Sequence, residues 1–406
     1  MPGQLALLQG AVEMFPALVR DVDAAQRLIR IESYILNDDP ETRILIASLE
    51  RAVRRGVEVQ LLLDGFGGQF GLRALGQVLA AGGISVRLFR PGVTLFSPRT
   101  WRRLHRKMVL IDERVGYVGG INLLGDWHDP HHGALEAPRF DFAVRIEDLG
   151  VTRAMRRAMQ RLWWRVSWHG LLNQRRLSRA DLREAWRGLR KTLRGSLRPT
   201  IRSGSLRVRL LLRDNIRHRR VIERAIRAAI SQSRHEVLIA MAYFIPSARM
   251  RRLLIEAAAR GVRVRILLQG RVEYWWSTWA ERALAEELIA AGVEVYEFTH
   301  SFLHAKVVIA DDWTTVGSSN MDPFSMLLSL EANVAVQDHR FAERLRSRIE
   351  WAMSTPQARR VTARLMVPSG PLAWPRRGLR RLGIAVASLA IRLFLAFSQS
   401  GARSYE

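Results

Sequence analysis

The chain has 406 residues, no cysteine and a formal net charge of +26. Its length supports two hydrophobic cores, the missing cysteine excludes disulfides, thiol chemistry and the commonest zinc sites, and the charge calls for an anionic partner. Anionic lipid surfaces and nucleic acids both meet that demand, so charge alone does not choose between them.

The N-terminus lacks a basic region, and Glu13 interrupts its short apolar start, so it does not read as a signal peptide. Arg55 to Gly65 (RGVEVQLLLDG) reads as the end of a helix, a glycine stop and a buried strand. Gly65, Gly67, Gly68 and Gly71 follow that strand, but their spacing is not the dinucleotide fingerprint. Leu79 to Phe89 (LAAGGISVRLF) repeats the pattern of helix, glycine and strand. Next comes the octapeptide HRKMVLID, His105 to Asp112, whose apolar run predicts a buried strand. A glycine-rich turn ending in asparagine, Gly119-Gly120-Ile121-Asn122, closes this part. Asp126, His128, Asp129, His131 and His132 then gather metal-ligating residue types in a polar loop, without a spacing that would set coordination geometry.

Between Gln174 and Arg202 lie ten basic residues against Asp181 and Glu184, which predicts a basic helical linker. Beyond it the earlier patterns return. Arg260 to Gly270 (RGVRVRILLQG) parallels Arg55 to Gly65, and Ile289 to Phe298 (IAAGVEVYEF) parallels Leu79 to Phe89. A second octapeptide, HAKVVIAD, runs from His304 to Asp311, followed by Gly317-Ser318-Ser319-Asn320. Tyr274, Trp275, Trp276 and Trp279 form an aromatic cluster suited either to a membrane interface or to helix packing. After Pro375 come Arg376, Arg377, Arg380 and Arg381, then the apolar stretch Leu382 to Phe397. At 16 residues it is shorter than the roughly 20 that span a bilayer. Arg381, Ser388 and Arg392 give it one polar stripe, the pattern of a helix lying in the membrane interface or, alternatively, of a C-terminal helix packed on the second half.

Helices alternating with buried strands, in two similar halves, predict an α/β fold of two duplicated units, each a mixed sheet flanked by helices. The expected division is 1–168, a basic linker at 169–204, 205–355, and a basic and apolar tail at 356–406.

Only three of the 64 basic residues are lysine, and two of them, Lys107 and Lys306, occupy the same place in octapeptides 199 residues apart. In a strand, alternate side chains share a face, so each octapeptide presents its histidine and lysine together. Two imidazoles, two ammoniums and the amides of Asn122 and Asn320 around one point suit phosphodiester chemistry. Histidine serves as nucleophile and as acid near neutral pH, and lysine neutralises the non-bridging oxygens.

These octapeptides are similar to the HxKxxxxD signature of the phospholipase D superfamily. The longer stretches HRKMVLIDERVGYVGGIN, RFDFAVRIE and GSSNMDPFSMLLSLEANVAV resemble bacterial cardiolipin synthases, most of all the B subgroup, over about residues 4 to 355. Gly120 departs from the superfamily, which usually has serine there, but agrees with that subgroup. The resemblance implies a pseudo-two-fold pair of domains around one active site. It implies that His105 attacks phosphorus to form a phosphatidyl-histidine, and that His304 protonates the leaving alcohol and deprotonates the incoming one. It places Lys107, Lys306, Asn122, Ser318 and Asn320 on the phosphate oxygens and a carboxylate, Asp141 or Glu331, behind each histidine. Asp112 and Asp311 belong to the signature, although bracing the strand-to-turn connection is the role their position favours.

The implied reaction passes a phosphatidyl group from one phosphatidylglycerol to another and releases glycerol. Hydrolysis to phosphatidic acid, or nuclease activity, would use the same residues, whereas a non-catalytic basic binding protein would not need both signatures intact. No metal or cofactor is called for. The partners expected are phosphatidylglycerol and an anionic membrane surface, with no obligatory nucleic acid, on the cytoplasmic side of the inner membrane.

Overall fold

A computed structural model describes residues 4–91, 102–129, 133–173, 207–214, 218–271, 284–322, 325, 329–356 and 358–362. The basic linker, the aromatic cluster at 274–279, His131, His132 and the C-terminal tail lie outside them. Among the described residues, no helix is long and apolar enough to cross a membrane.

The first half forms a seven-stranded mixed sheet. Its order is β1 (Leu5–Gln9), β10 (Phe142–Ile146), β7 (Val115–Gly119), β6 (Met108–Ile111), β2 (Leu28–Ser33), β3 (Glu58–Asp64) and β4 (Ser85–Phe89). The second half repeats that order: β11 (Val208–Arg213), β17 (Ser329–Gln337), β16 (Trp313–Gly317), β15 (Lys306–Ala310), β12 (Glu236–Met241), β13 (Arg263–Gln269) and β14 (Glu294–Phe298), with β18 (Ala358–Val361) added at the edge. In each half three strands run parallel, because a helix carries the chain back between them: β2 through β4, and β12 through β14. The other neighbours within these two strand orders pair antiparallel.

Local chemistry sets these helices. In α2 (Pro40–Arg54), Asp39 caps the first turn by accepting from the Thr42 N–H, and Pro40 sits where no amide donor is needed. Gly56 then turns the chain at φ +86° before β3, and Gly261 does the same at +87° before β13. No side chain tolerates that backbone as well as glycine, so the repeated Arg-Gly-Val is a true stop signal.

The outer face of the first sheet is covered by α1 (Gly10–Asp23), α2 and α3 (Gln69–Ala81), through Leu18, Leu45, Leu49 and Leu79 against Ile29, Ile31 and Leu61. The second sheet is covered likewise by α5 (Val221–Gln232), α6 (Ala248–Ala259) and residues 284–290. The two inner faces meet. Val118, Phe142 and Val144 share one core with Leu238, Val307 and Val334, closed by α4 (Leu149–Asn173) and α7 (His339–Ser354). The halves are therefore welded by apolar burial, not merely tethered.

Candidate active site

Strand exchange between the halves builds the site. The short strand β5 (Arg103–Leu104), just ahead of the first octapeptide, pairs with Ser329–Leu330 of the second half, and the His105 N–H donates to the Leu330 carbonyl at 3.0 Å. Symmetrically, Leu303 bridges Phe140 of the first half, and the His304 N–H donates to the Phe140 carbonyl at 2.9 Å. Asp64, fully buried, anchors β5 by accepting from the Leu104 N–H at 2.7 Å and pairing with Arg103.

This exchange decides which carboxylate stands behind which histidine. His105 Nδ1 meets both Glu331 oxygens at 3.1 Å, and His304 Nδ1 meets Asp141 Oδ2 at 2.6 Å. Each imidazole is thus oriented by the opposite half, leaving its other nitrogen for chemistry. Burial penalises the imidazolium form of both, pulling His105 below the ordinary value of 6.5 and His304 well below it. Burial also pushes Asp141 up to about 7. The His304–Asp141 pair is therefore disposed to share a proton instead of separating charge.

The lysines line the same centre. Lys107 and Lys306 are almost completely buried, and each Nζ folds back to donate to the carbonyl of its own histidine, at 3.0 Å for Lys107. Burial lowers Lys107 to about 7. The positive fields of both lysines reach both histidines, which makes this one site. His105 through Lys107 precede β6 as an extended link, whereas Lys306 opens β15, so only the second lysine sits in a strand as its alternation predicts. Asn122 accepts the Ile35 N–H at 3.2 Å through its carbonyl, directing its amide donors elsewhere. The buried Asn320 Oδ1 has no hydrogen-bond partner among the described residues.

Three expected residues do other work. Ser318 is fully buried; its hydroxyl donates to Glu331 and accepts from the Ala332 N–H at 3.0 Å, so it steadies a carboxylate. Asp112 and Asp311 stand at the far ends of their strands, roughly 15 Å of extended chain from the lysines. Asp112 accepts from the Gln26, Arg27 and Leu28 N–H groups, and Asp311 from those of Arg234, His235 and Glu236. Both are braces that start β2 and β12. In the polar loop, Asp126 accepts the Val12 N–H at 3.1 Å and Asp129 pairs with Arg139 at 2.6 Å.

Gly120 has a steric reason. A Cβ there would lie 2.3 Å from Asp141 Oδ1 and 2.6 Å from Oδ2. The first half therefore pairs glycine with the shorter aspartate, and the second pairs Ser318 with the longer Glu331. Sequence reasoning missed Tyr34, whose ring stands edge-on to His105 at 5.1 Å with Lys107 Nζ 5.5 Å from its centroid. No sequence signal separates this tyrosine from any other at a strand end.

The family model described as cardiolipin synthase, PLD-like domain, matches residues 18–163 and 226–353. Cardiolipin synthase B of Escherichia coli K12 is 35% identical over 349 residues, spanning 85% of this chain and 79% of that protein. Cardiolipin synthase B of Salmonella typhi is 34% identical over 358 residues, spanning 86% and 79%. Among solved structures, the phosphatidylserine synthase of Haemophilus influenzae Rd KW20 superposes with a TM-score of 0.64, covering 97% of this chain and 95% of that one. At 15% identity that is a likeness of fold alone.

Proposed function

We propose a mechanism from the premise that this chain belongs to the cardiolipin synthase family built on phospholipase D-like domains. It is a cardiolipin synthase, a phosphatidyltransferase acting on phospholipid. The observation that carries the mechanism is the reciprocal pairing of two histidines, each held through Nδ1 by a carboxylate of the opposite half.

In the proposed reaction, phosphatidylglycerol binds with its phosphate oxygens on Lys107, Lys306, Asn122 and Asn320. The free nitrogen of His105 attacks phosphorus, and the bond to glycerol breaks as His304 delivers a proton to the leaving oxygen. A second phosphatidylglycerol enters, its hydroxyl gives a proton to His304, and its oxygen takes phosphorus from His105. Cardiolipin and free histidine result. The lowered proton affinity of His105 supports the reading, because a nucleophile must start neutral, and the proton that His304 first delivers is the one it shares with Asp141. The division at 168 and 205, a basic linker, and a tail lying in the inner-membrane interface on the cytoplasmic side belong to the same proposal, and the charge of +26 supports the surface attachment.

The test is to mix purified protein with phosphatidylglycerol vesicles without metal and follow lipids and glycerol together. Cardiolipin and glycerol in equal amounts is the expected result. Phosphatidic acid in place of cardiolipin would make water the acceptor, and no lipid turnover would overturn the substrate assignment and direct attention to DNA.

A further inference from the structure

The two halves match strand for strand, so the places where they differ are informative. In the ladder of β11 on β17, Arg213 stands opposite Glu331, the carboxylate behind His105. The matching place in the first half is Gly10, whose N–H donates to the Asp141 carbonyl at 2.9 Å. There the space beside the backbone is filled: a Cβ on Gly10 would lie 2.5 Å from Asp126 Oδ2. In the second half the equivalent space is a cleft, lined by Arg213 together with Ser319, Asn320, Ile222 and Met250.

Arg213 is only 2% exposed. Its Nε donates to the Arg219 carbonyl at 3.0 Å, yet Nη1 and Nη2 have no hydrogen-bond partner among the described residues. A buried guanidinium with two free donors normally costs stability unless something satisfies it. Burial lowers Arg213 to about 10, so it stays charged at neutral pH. The carboxylates nearest in charge, Glu331 and Asp322, are engaged elsewhere, by His105 and Ser318 and by the Ser325 N–H. Arg219 and Glu223, of opposite charge, also line the cleft. Asn320 lines the same cleft, so an anion on Arg213 would lie beside the reacting phosphate.

We propose that this cleft binds the phosphate of the acceptor phosphatidylglycerol, with Arg213 as the residue that holds it. The assignment rests on the transfer reading above. Cardiolipin carries two phosphates joined by a single glycerol, so the enzyme needs a second anion site a few bonds from the first. A guanidinium presents its donors as a fork that fits two oxygens of one phosphate. The apolar wall of Ile222 and Met250 suits the carbons next to that group. So seated, the acceptor points its terminal hydroxyl at phosphorus; the new O–P bond forms as the His105 N–P bond breaks, and the proton passes to His304.

The test separates transfer to a lipid from transfer to an alcohol without a phosphate. Isotope-labelled glycerol exchanging into phosphatidylglycerol uses both histidines but needs no acceptor phosphate. The Arg213→Gln variant should keep exchange and lose cardiolipin formation by about tenfold to a hundredfold, the loss expected for hydrogen bonds to a charged group. Arg213→Lys should fall between. Equal loss of both reactions in a folded Arg213→Gln protein, or no loss of either, overturns the proposal. Should that variant not fold, the wild-type enzyme decides: glycerol 3-phosphate should inhibit cardiolipin formation and spare exchange, and equal inhibition of both overturns it. Wild-type protein that exchanges glycerol but makes no cardiolipin would refute the transfer reading instead, a result distinct from either.

Discussion

Replacing Gly120 by serine installs the superfamily's usual residue and should nonetheless cripple the enzyme. The added Cβ would start 2.3 Å from Asp141 Oδ1. Reaching an ordinary contact requires the carboxylate to retreat by about 1 Å. It cannot retreat freely, because Oδ1 accepts the Phe142 N–H at 2.7 Å and Oδ2 holds His304 Nδ1 at 2.6 Å. Losing a hydrogen bond to a charged group costs about 1.5 to 3 kcal/mol. Taken from the step in which His304 transfers its proton, that is about a tenfold to hundredfold fall in kcat. Cardiolipin release from phosphatidylglycerol vesicles measures it. The double variant Gly120→Ser, Asp141→Glu recreates the Ser318–Glu331 arrangement of the other half and should recover about tenfold. Gly120→Ser activity within twofold of wild type would refute the steric reasoning.

Three further outcomes follow from the same geometry. His105→Ala should lose at least about 10⁴-fold in turnover while keeping its thermal midpoint, since no covalent intermediate forms; appreciable residual activity would move the nucleophile elsewhere. Lys107→Met should be more stable than wild type below pH 7. The folded protein releases that proton near 7 and the unfolded chain near 10.5, so the charge penalty is full below 7 and fades above it. Thermal midpoints between pH 6 and 10 should converge; a constant gap would contradict the buried-charge account. Asp311→Asn should cost about 1 to 3 kcal/mol in urea unfolding through its backbone donors, yet leave kcat within about threefold. A collapse of kcat at unchanged stability would return Asp311 to the catalytic set.

The repeated octapeptides, the glycine stops at Gly56 and Gly261, and the alternation of helix and strand are local signals. They were legible because each depends on neighbouring residues alone: a positive φ, an apolar run, a histidine two places before a lysine. They sufficed for the α/β class and the duplication, and they singled out His105, Lys107, His304 and Lys306, which the fold gathers in one place. They did not reveal that Ser318 serves Glu331 or that Arg213 lies buried with free donors, because side-chain partners contributed by other strands leave no trace in local spacing. Nor did they show which carboxylate serves which histidine. Asp141 follows the first octapeptide and Glu331 the second, yet each is paired with the other half's imidazole. Only the tertiary structure decided that, because β5 leaves its own sheet to pair beside β17 and Leu303 bridges Phe140.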